Sequence, residues 1–233
     1  MLNILTYNIQ YGKRTSSIIK WIKNLPQIPD IICFQEFPKK EIEIFIKKIK
    51  KKNYKYQYTE SLRKKNETYG QLTLYDSIKL KVKENKTIDL KKSFIEKIFS
   101  PNTISRKALI TSFEYDGKLF ILINAHLTAF HFNSIKRSQI LKIIDSLDKN
   151  LEKIPHIFLG DLNYSSLIRR KKLLNLMYKY GFYNAYKLKT HRLFFLNHQL
   201  DYVFYKGCII INPVVIRLKY SDHFAVSFKT QIN

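Results

Sequence analysis

The sequence predicts an α/β fold in which β-sheets pack on each other and helices lie outside. Three observations carry this. About ten short apolar segments of β-branched or alternating character are interleaved with four segments of helical periodicity. No Gly/Ser-rich linker, internal repeat or composition shift divides residues 1–233, so one domain is expected. Hydrophobic residues make up 45% of the chain and aromatic ones 14%, enough for a large core and too much for a disordered chain.

The elements follow in order. "LNILTYNI" (2–9) is short and β-branched, a strand. Residues 15–24 carry Ile18, Ile19 and Ile22 at helical spacing and stop before Pro26. "DIICFQE" (30–36) reads as a buried strand. Residues 39–52 place Ile42, Phe45, Ile46 and Ile49 on one helical face, with lysines opposite. "YKYQYTE" (54–60) alternates as a strand, and the polar stretch 61–70 reads as a loop ending in Gly70. "QLTLYDS" and "IKLKVKENKTI" are strands, and 91–106 is irregular. "ALITSFEY" and "LFILINAHL" flank the Asp116-Gly117 dipeptide, the strongest short signal of a hairpin. Residues 133–149 form an amphipathic helix, "PHIFLGDLN" a strand, and 165–180 a basic helix stopping at Gly181. "QLDYVFYKG", "CIIINPVVIRL" and "FAVSFK" are the closing strands.

Many of these strands end abruptly in polar residues. Asn8 follows "ILTY", Gln35 and Glu36 follow "IICF", and His126 follows "ILINA". Asp161 and Asn163 follow "IFLG", Asp201 follows "HQL", and Asp222 with His223 precede "FAVSF". Singly, each has a bland explanation: Asn8 and Asp222 as turn or loop caps, Asp161 with Asn163 as a helix cap. A carboxylate buried unpaired is costly, however, and strand ends converging on one rim could share such groups around a cation and a phosphate. Phosphodiester hydrolysis needs this set: carboxylates for a hard divalent cation, a base and an orienting group for water, and donors for the developing charge.

The charge points the same way. Lys and Arg number 42 against 18 Asp and Glu, a formal net charge of +24. The Lys-, Ile-, Asn- and Tyr-rich composition is also what an A+T-rich genome yields, but so large an imbalance repels itself in a compact state, and affinity for phosphates is expected. Cys33 and Cys208 sit in apolar runs and are expected as free buried thiols in a reducing compartment. Neither a signal peptide nor an apolar stretch of membrane-spanning length is visible, so a cytoplasmic protein without integral membrane association is expected.

"TYNI", "FQE", "NAHL", "GDLN", "LDYVF" and "SDH", in that order, closely resemble the motifs of the endonuclease/exonuclease/phosphatase superfamily, which includes pancreatic deoxyribonuclease. The resemblance runs from residue 2 to about residue 228. It implies a four-layer α/β sandwich, two mixed β-sheets face to face flanked by helices. It implies Mg2+, with Mn2+ as a substitute, held by Glu36 as principal ligand with Asn8 and Asp222 as companions. Asp161 would take a proton from the attacking water, and Asn163 would hold that water or a phosphate oxygen. His223 would donate to a non-bridging oxygen, with Asp201 fixing its tautomer. His126 matches a general-acid candidate for the leaving oxygen, and Arg106, in "SRKALI", resembles an arginine aimed at the phosphate.

Departures narrow the choice. Abasic-site endonucleases usually carry Trp before the first motif Asn and Lys two residues beyond a "QET" motif, and lack a histidine matching His126; here the words are "TYN" and "FQEFPK". The insertions of inositol phosphatases do not fit, and the anchor or secretion signal of a sphingomyelinase is not seen. The expectation is Mg2+-dependent cleavage of phosphodiester bonds in DNA or RNA by a monomer. Among the basic stretches, 61–70 and 168–172 are expected to track the nucleic-acid backbone, whereas 39–52 is a solvated helix face. The alternatives are a phosphatase or phospholipase C-type enzyme on phosphoinositide or sphingomyelin headgroups and, more remotely, an inactive nucleic-acid-binding module. His131, His156, His191 and His198 are expected on the surface or in loops, and Tyr7, Phe34 and Tyr202 in the core or its rim.

Overall fold

The computed structural model describes residues 1–49, 53–64, 66–91, 106–129, 133–148, 153–193 and 196–233. One sheet holds β1 (Leu2–Asn8), β2 (Ile31–Pro38), β3 (Tyr54–Lys64), β4 (Glu67–Asp76), β13 (Cys208–Ile216) and β14 (Ala225–Ile232) in the order β13-β14-β1-β2-β4-β3. The other holds β5 (Leu80–Asp89), β6 (Lys107–Tyr115), β7 (Lys118–His126), β8 (His156–Asp161), β9 (Tyr183–Asn184) and β12 (Asp201–Lys206) in the order β5-β6-β7-β8-β12-β9. Both are mixed: β1 runs parallel to β2 and β7 to β8, amid antiparallel pairs. A separate hairpin pairs β10 (His191–Leu193) with β11 (Leu196–His198).

The period of two along each strand builds the layers. Ile4, Ile31, Cys33, Ile157 and Leu159 meet Phe113, Phe120 and Phe228 between the sheets. Their sequence neighbours Leu5, Ile32 and Phe34 face outward onto α1 (Thr15–Lys23) and α2 (Ile42–Lys48), through Ile18, Ile22 and Phe45. Phe158, with Ile121 and Ile123, faces the other way onto α3 (Asn133–Asp145) and α4 (Leu167–Lys179), through Ile140, Ile143, Leu173 and Met177. The result is the expected four-layer α/β sandwich. Asp116 and Gly117, at φ 50° and 72°, form the left-handed turn predicted between β6 and β7.

Several expectations need correction. The polar stretch 61–70 is not a loop: β3 and β4 continue their ladder to Lys64 and Glu67 with a register shift between Glu60 and Leu62. At its tip Arg63, Lys64 and Asn66 are exposed, which is why the stretch carries no apolar alternation there. The helix expected over 39–52 opens as a 3-10 turn at Lys39–Glu41 and is regular from Ile42 to Lys48; residues 50–52 lie outside the described residues, as do 92–105 within the irregular stretch. Strands β9, β10 and β11 are not announced by the sequence. Among the described residues, no helix is long and apolar enough to cross a membrane, and Cys33 and Cys208 are free and buried.

Candidate active site

Register brings the polar strand ends together. In the second sheet His126 pairs with Asp161, and Asp161 with Asp201, so three strands present them side by side. Gly160 makes this possible. A Cβ there would sit 2.1 Å from the Ala125 carbonyl oxygen, and its φ is +126°, so only glycine lets β8 lie this close to β7. In the facing sheet Asn8 ends β1 beside Gln35, and its Nδ2 donates across the sandwich to Asp161 Oδ2 at 3.0 Å.

Glu36 owes its direction to a β-bulge. The β2–β4 register shifts between Phe34 and Phe37, and Glu36 adopts φ 58°. Bulges of this kind re-aim side chains next to functional sites. The following loop closes on it: Gln10, Tyr11 and Gly12 are left-handed in succession, at φ 49°, 58° and 66°. This curl lets the Tyr11 N–H donate to Glu36 Oε2 and Gln10 Nε2 donate to Asp222 Oδ2, both at 3.1 Å. One turn thus holds two carboxylates from distant segments.

The histidines differ in charge. His223 Nδ1 lies 2.8 Å from Asp201 Oδ2, and its Nε2 is 3.6 Å from Asp161 Oδ2. Burial opposes a charge on His223, but Asp201, Asp161 and Asp222 overcome it and push the pKa up to about 10. His126 Nε2 is 3.5 Å from Asp161 Oδ2 and 3.9 Å from Glu36 Oε1. Burial, with Arg106 and His223 nearby, holds His126 well below its ordinary value, hence neutral. Arg106 Nη1 lies 3.2 Å from both His126 ring nitrogens. Burial raises Asp161 to about 7, with Asp201 and Glu36 adding and His223 and Asn8 opposing; it raises Glu36 as well, against Arg106 and His223. Asp222 goes the other way. Burial would raise it, but His191, His223 and Ser221 bring it to about 2. Asn163, at φ 57°, donates its peptide N–H to Asp161 Oδ1 and its Nδ2 to the Leu127 carbonyl, both at 3.1 Å. All nine predicted residues therefore lie in one connected cluster.

Further residues belong to its surroundings. His191 was expected in a loop or on the surface; it is 9% exposed, with Nε2 3.8 Å from Asp222 Oδ2 and its ring edge-on to His223 at 4.6 Å. Arg192 N–H donates to the Asp222 carbonyl and Phe224 N–H to the Thr190 carbonyl, which bridges β10 to the segment bearing His223, just before β14. Gln71 sits opposite the Glu36 bulge, fully buried, and among the described residues neither amide atom has a partner. Behind the rim, Gln35 Nε2 donates to Asn124 Oδ1 at 2.8 Å, and Asn124 Nδ2 to the Phe34 and Leu72 carbonyls at 3.2 Å, a buried brace between the sheets. His156, also expected outside, is buried at the start of β8. His198 is half-buried in β11, and His131 lies outside the described residues. Tyr7, Phe34 and Tyr202 are core residues, as expected.

Oxygen donors from Glu36, Asp222 and Asn8 suit a hard divalent cation. The two raised carboxylates and the orphaned Gln71 amide are groups that a bound cation and its waters would satisfy. Nitrogen-containing alternatives also exist: ligand atoms of Asp161, Asp201 and His223, and of His191, Asp222 and His223, lie within 4.8 Å of one another.

Residues 5–223 match the sequence model of the endonuclease/exonuclease/phosphatase family. The chain belongs to the endonuclease/exonuclease/phosphatase family. Members of this family hydrolyse phosphoester bonds and generally use a divalent metal. The fold agrees. An endonuclease/exonuclease/phosphatase of Bacteroides vulgatus superposes with TM-score 0.79 at 15% identity, over 100% of this chain and 99% of that one. The human Nocturnin catalytic domain, solved with bound sulfate, gives 0.80 at 17% identity over 100% and 93%. A humanized D. rerio TDP2 gives 0.74 at 15% over 99% and 98%. In sequence, the chain is 28% identical over 122 residues to UPF0294 proteins of Yersinia pseudotuberculosis and Yersinia pestis; the match takes in 52% of this chain, and the chain spans about half, 46%, of those proteins' length.

Proposed function

We propose that this family member is a Mg2+-dependent phosphodiesterase acting on nucleic acid, DNA or RNA. What carries the reading is the shared rim: Glu36, Asn8 and Asp222 from one side of the sandwich meet His126, Asp161 and Asp201 from the other, with His223 between Asp161 and Asp201. A cation on Glu36, Asn8 and Asp222 would neutralise phosphate charge there. Asp161, raised towards neutrality, accepts the proton of the attacking water. Asn163 orients that water with the second hydrogen of its Nδ2. His223, protonated and held by Asp201, donates to a non-bridging oxygen. An arriving phosphate offsets the charge of Arg106, and His126 can then carry a proton to the leaving oxygen.

The preference for nucleic acid rests on the rim beside Glu36. Lys64 Nζ sits 4.5 Å from the Tyr11 ring centre, and Tyr11 packs edge-on to Tyr69 at 5.3 Å. A cation and aromatic faces beside the reacting phosphate suit a backbone and its bases. The test is hydrolysis of plasmid DNA, single-stranded DNA, RNA, a 5′-tyrosyl oligonucleotide and phosphoinositides, each with Mg2+ and with EDTA. Cleavage of a polynucleotide that falls steeply with salt and stops in EDTA is expected; turnover of phosphoinositides alone overturns the nucleic-acid reading.

A further inference from the structure

From Leu162 to Leu200 the sequence contains eight Lys and Arg and no Asp or Glu. Within this stretch two adjacent aliphatic side chains open α4 in full view of solvent: Leu167 is 78% exposed and Ile168 72%. Leu188, 46% exposed, lines with Leu167 a cavity of about 340 Å³. Arg170, Lys187 and Lys189 line the same cavity, and Arg169, Lys171 and Lys172 follow on the helix. The walls are tied together: Tyr202 Oη donates to the carbonyls of Tyr164 and Gln199, and Arg170 Nη1 donates to Gln199 Oε1 at 3.4 Å. The apolar side chains are thus held outward on a firm base, ringed by cations.

We propose that this tip, the first turn of α4 with residues 187–189, docks the protein on an anionic lipid surface. A polynucleotide backbone would use the cations but gain nothing from a leucine and an isoleucine, which neither stack nor bind phosphate. A second copy of the chain would bring the same positive face and be repelled. Anionic headgroups over acyl chains match both parts at once: the cations meet the phosphates, and Leu167, Ile168 and Leu188 enter the boundary beneath them. The tip begins six residues after Asp161, and the cavity residue Gln199 lies two before Asp201, so docking would set the catalytic rim close to the surface. The docking stands apart from the choice of substrate.

The test is flotation with large unilamellar vesicles of phosphatidylcholine, alone or with one quarter phosphatidylglycerol, in EDTA. Wild type is expected to float with the anionic vesicles only. Leu167→Ser with Ile168→Ser, which leaves the charge intact, is expected to lose that binding at least tenfold while binding a 30-nucleotide single strand as before. Vesicle binding unchanged by the double substitution, oligonucleotide binding weakened in parallel with it, or no vesicle binding by wild type would each overturn the proposal. A second readout covers a folding defect: Ile168→Trp should blue-shift its emission, relative to wild type with Trp21 alone, on anionic vesicles, and an unshifted emission counts against docking.

Discussion

The six-residue strand β8 begins at His156 and ends at Asp161, and both residues are 2% exposed. At the first end, His156 packs edge-on against Phe182 at 5.9 Å, and among the described residues its Nδ1 has no side-chain hydrogen-bond partner. Burial, aided by the charge of Lys206, lowers its pKa to about 4. At the other end Asp161 touches Asn8, His126 and His223. The first end is a polar group tolerated in a core because it stays neutral. The second is a set of groups none of which is stable there alone, each made tenable by the others. Burial of a titratable group therefore says little by itself; mutual burial marks the site.

The largest expected effect breaks only the second end. Glu36→Gln or His223→Ala should lower kcat by about 10²–10³ without moving the thermal midpoint by more than a few degrees, measured by steady-state hydrolysis and calorimetry. Next comes the position between the ends: Gly160→Ala meets the Ala125 carbonyl and should cost about 3 kcal/mol in urea unfolding, with activity falling with the folded fraction or faster. Asp201→Asn, which leaves His223 without its charged partner, should cost about 10–100-fold in kcat with KM little changed.

The smallest effect sharpens the contrast through its sign. His156 binds a proton more weakly folded than unfolded, so it costs stability as pH falls from 6.5 through about 4. Asp161 and His223 are raised, so the folded site prefers protons, and stability is lost as pH rises, through about 7 for the first and about 10 for the second. In EDTA, His156→Phe should remove about 2 kcal/mol of acid destabilisation at pH 5, and Asp161→Asn should flatten the decline that runs from acid pH up to about 7. Urea midpoints from pH 4.5 to 9 measure both; identical profiles for the two variants would erase the distinction.

The layers and eight of the nine candidate residues were legible because each leaves a local mark: apolar runs such as "IIC" and "IFL", then an abrupt polar residue beside the strand; Arg106, in "SRKALI", was legible only through the family resemblance. The hairpin end 61–70 left no such mark, since residues such as Arg63 and Lys64 are exposed and carry no apolar alternation. His191 was illegible because its partners Asp222 and His223 lie about thirty residues further on, across an isolated bridge. Gln71 reads as an ordinary strand residue in "QLTLYD"; only the bulge opposite reveals what it faces.

The Gln35–Asn124 brace has a bearing on inactivation. Glu36 belongs to one half of the sandwich and Asp161 to the other, so the distance between these two carboxylates is set by how the halves are seated, not by either half alone. Warming or mild denaturant that lets them slip should silence turnover while circular dichroism still reports intact helices and strands. Under the proposed function the seam, not either half, is expected to fail first.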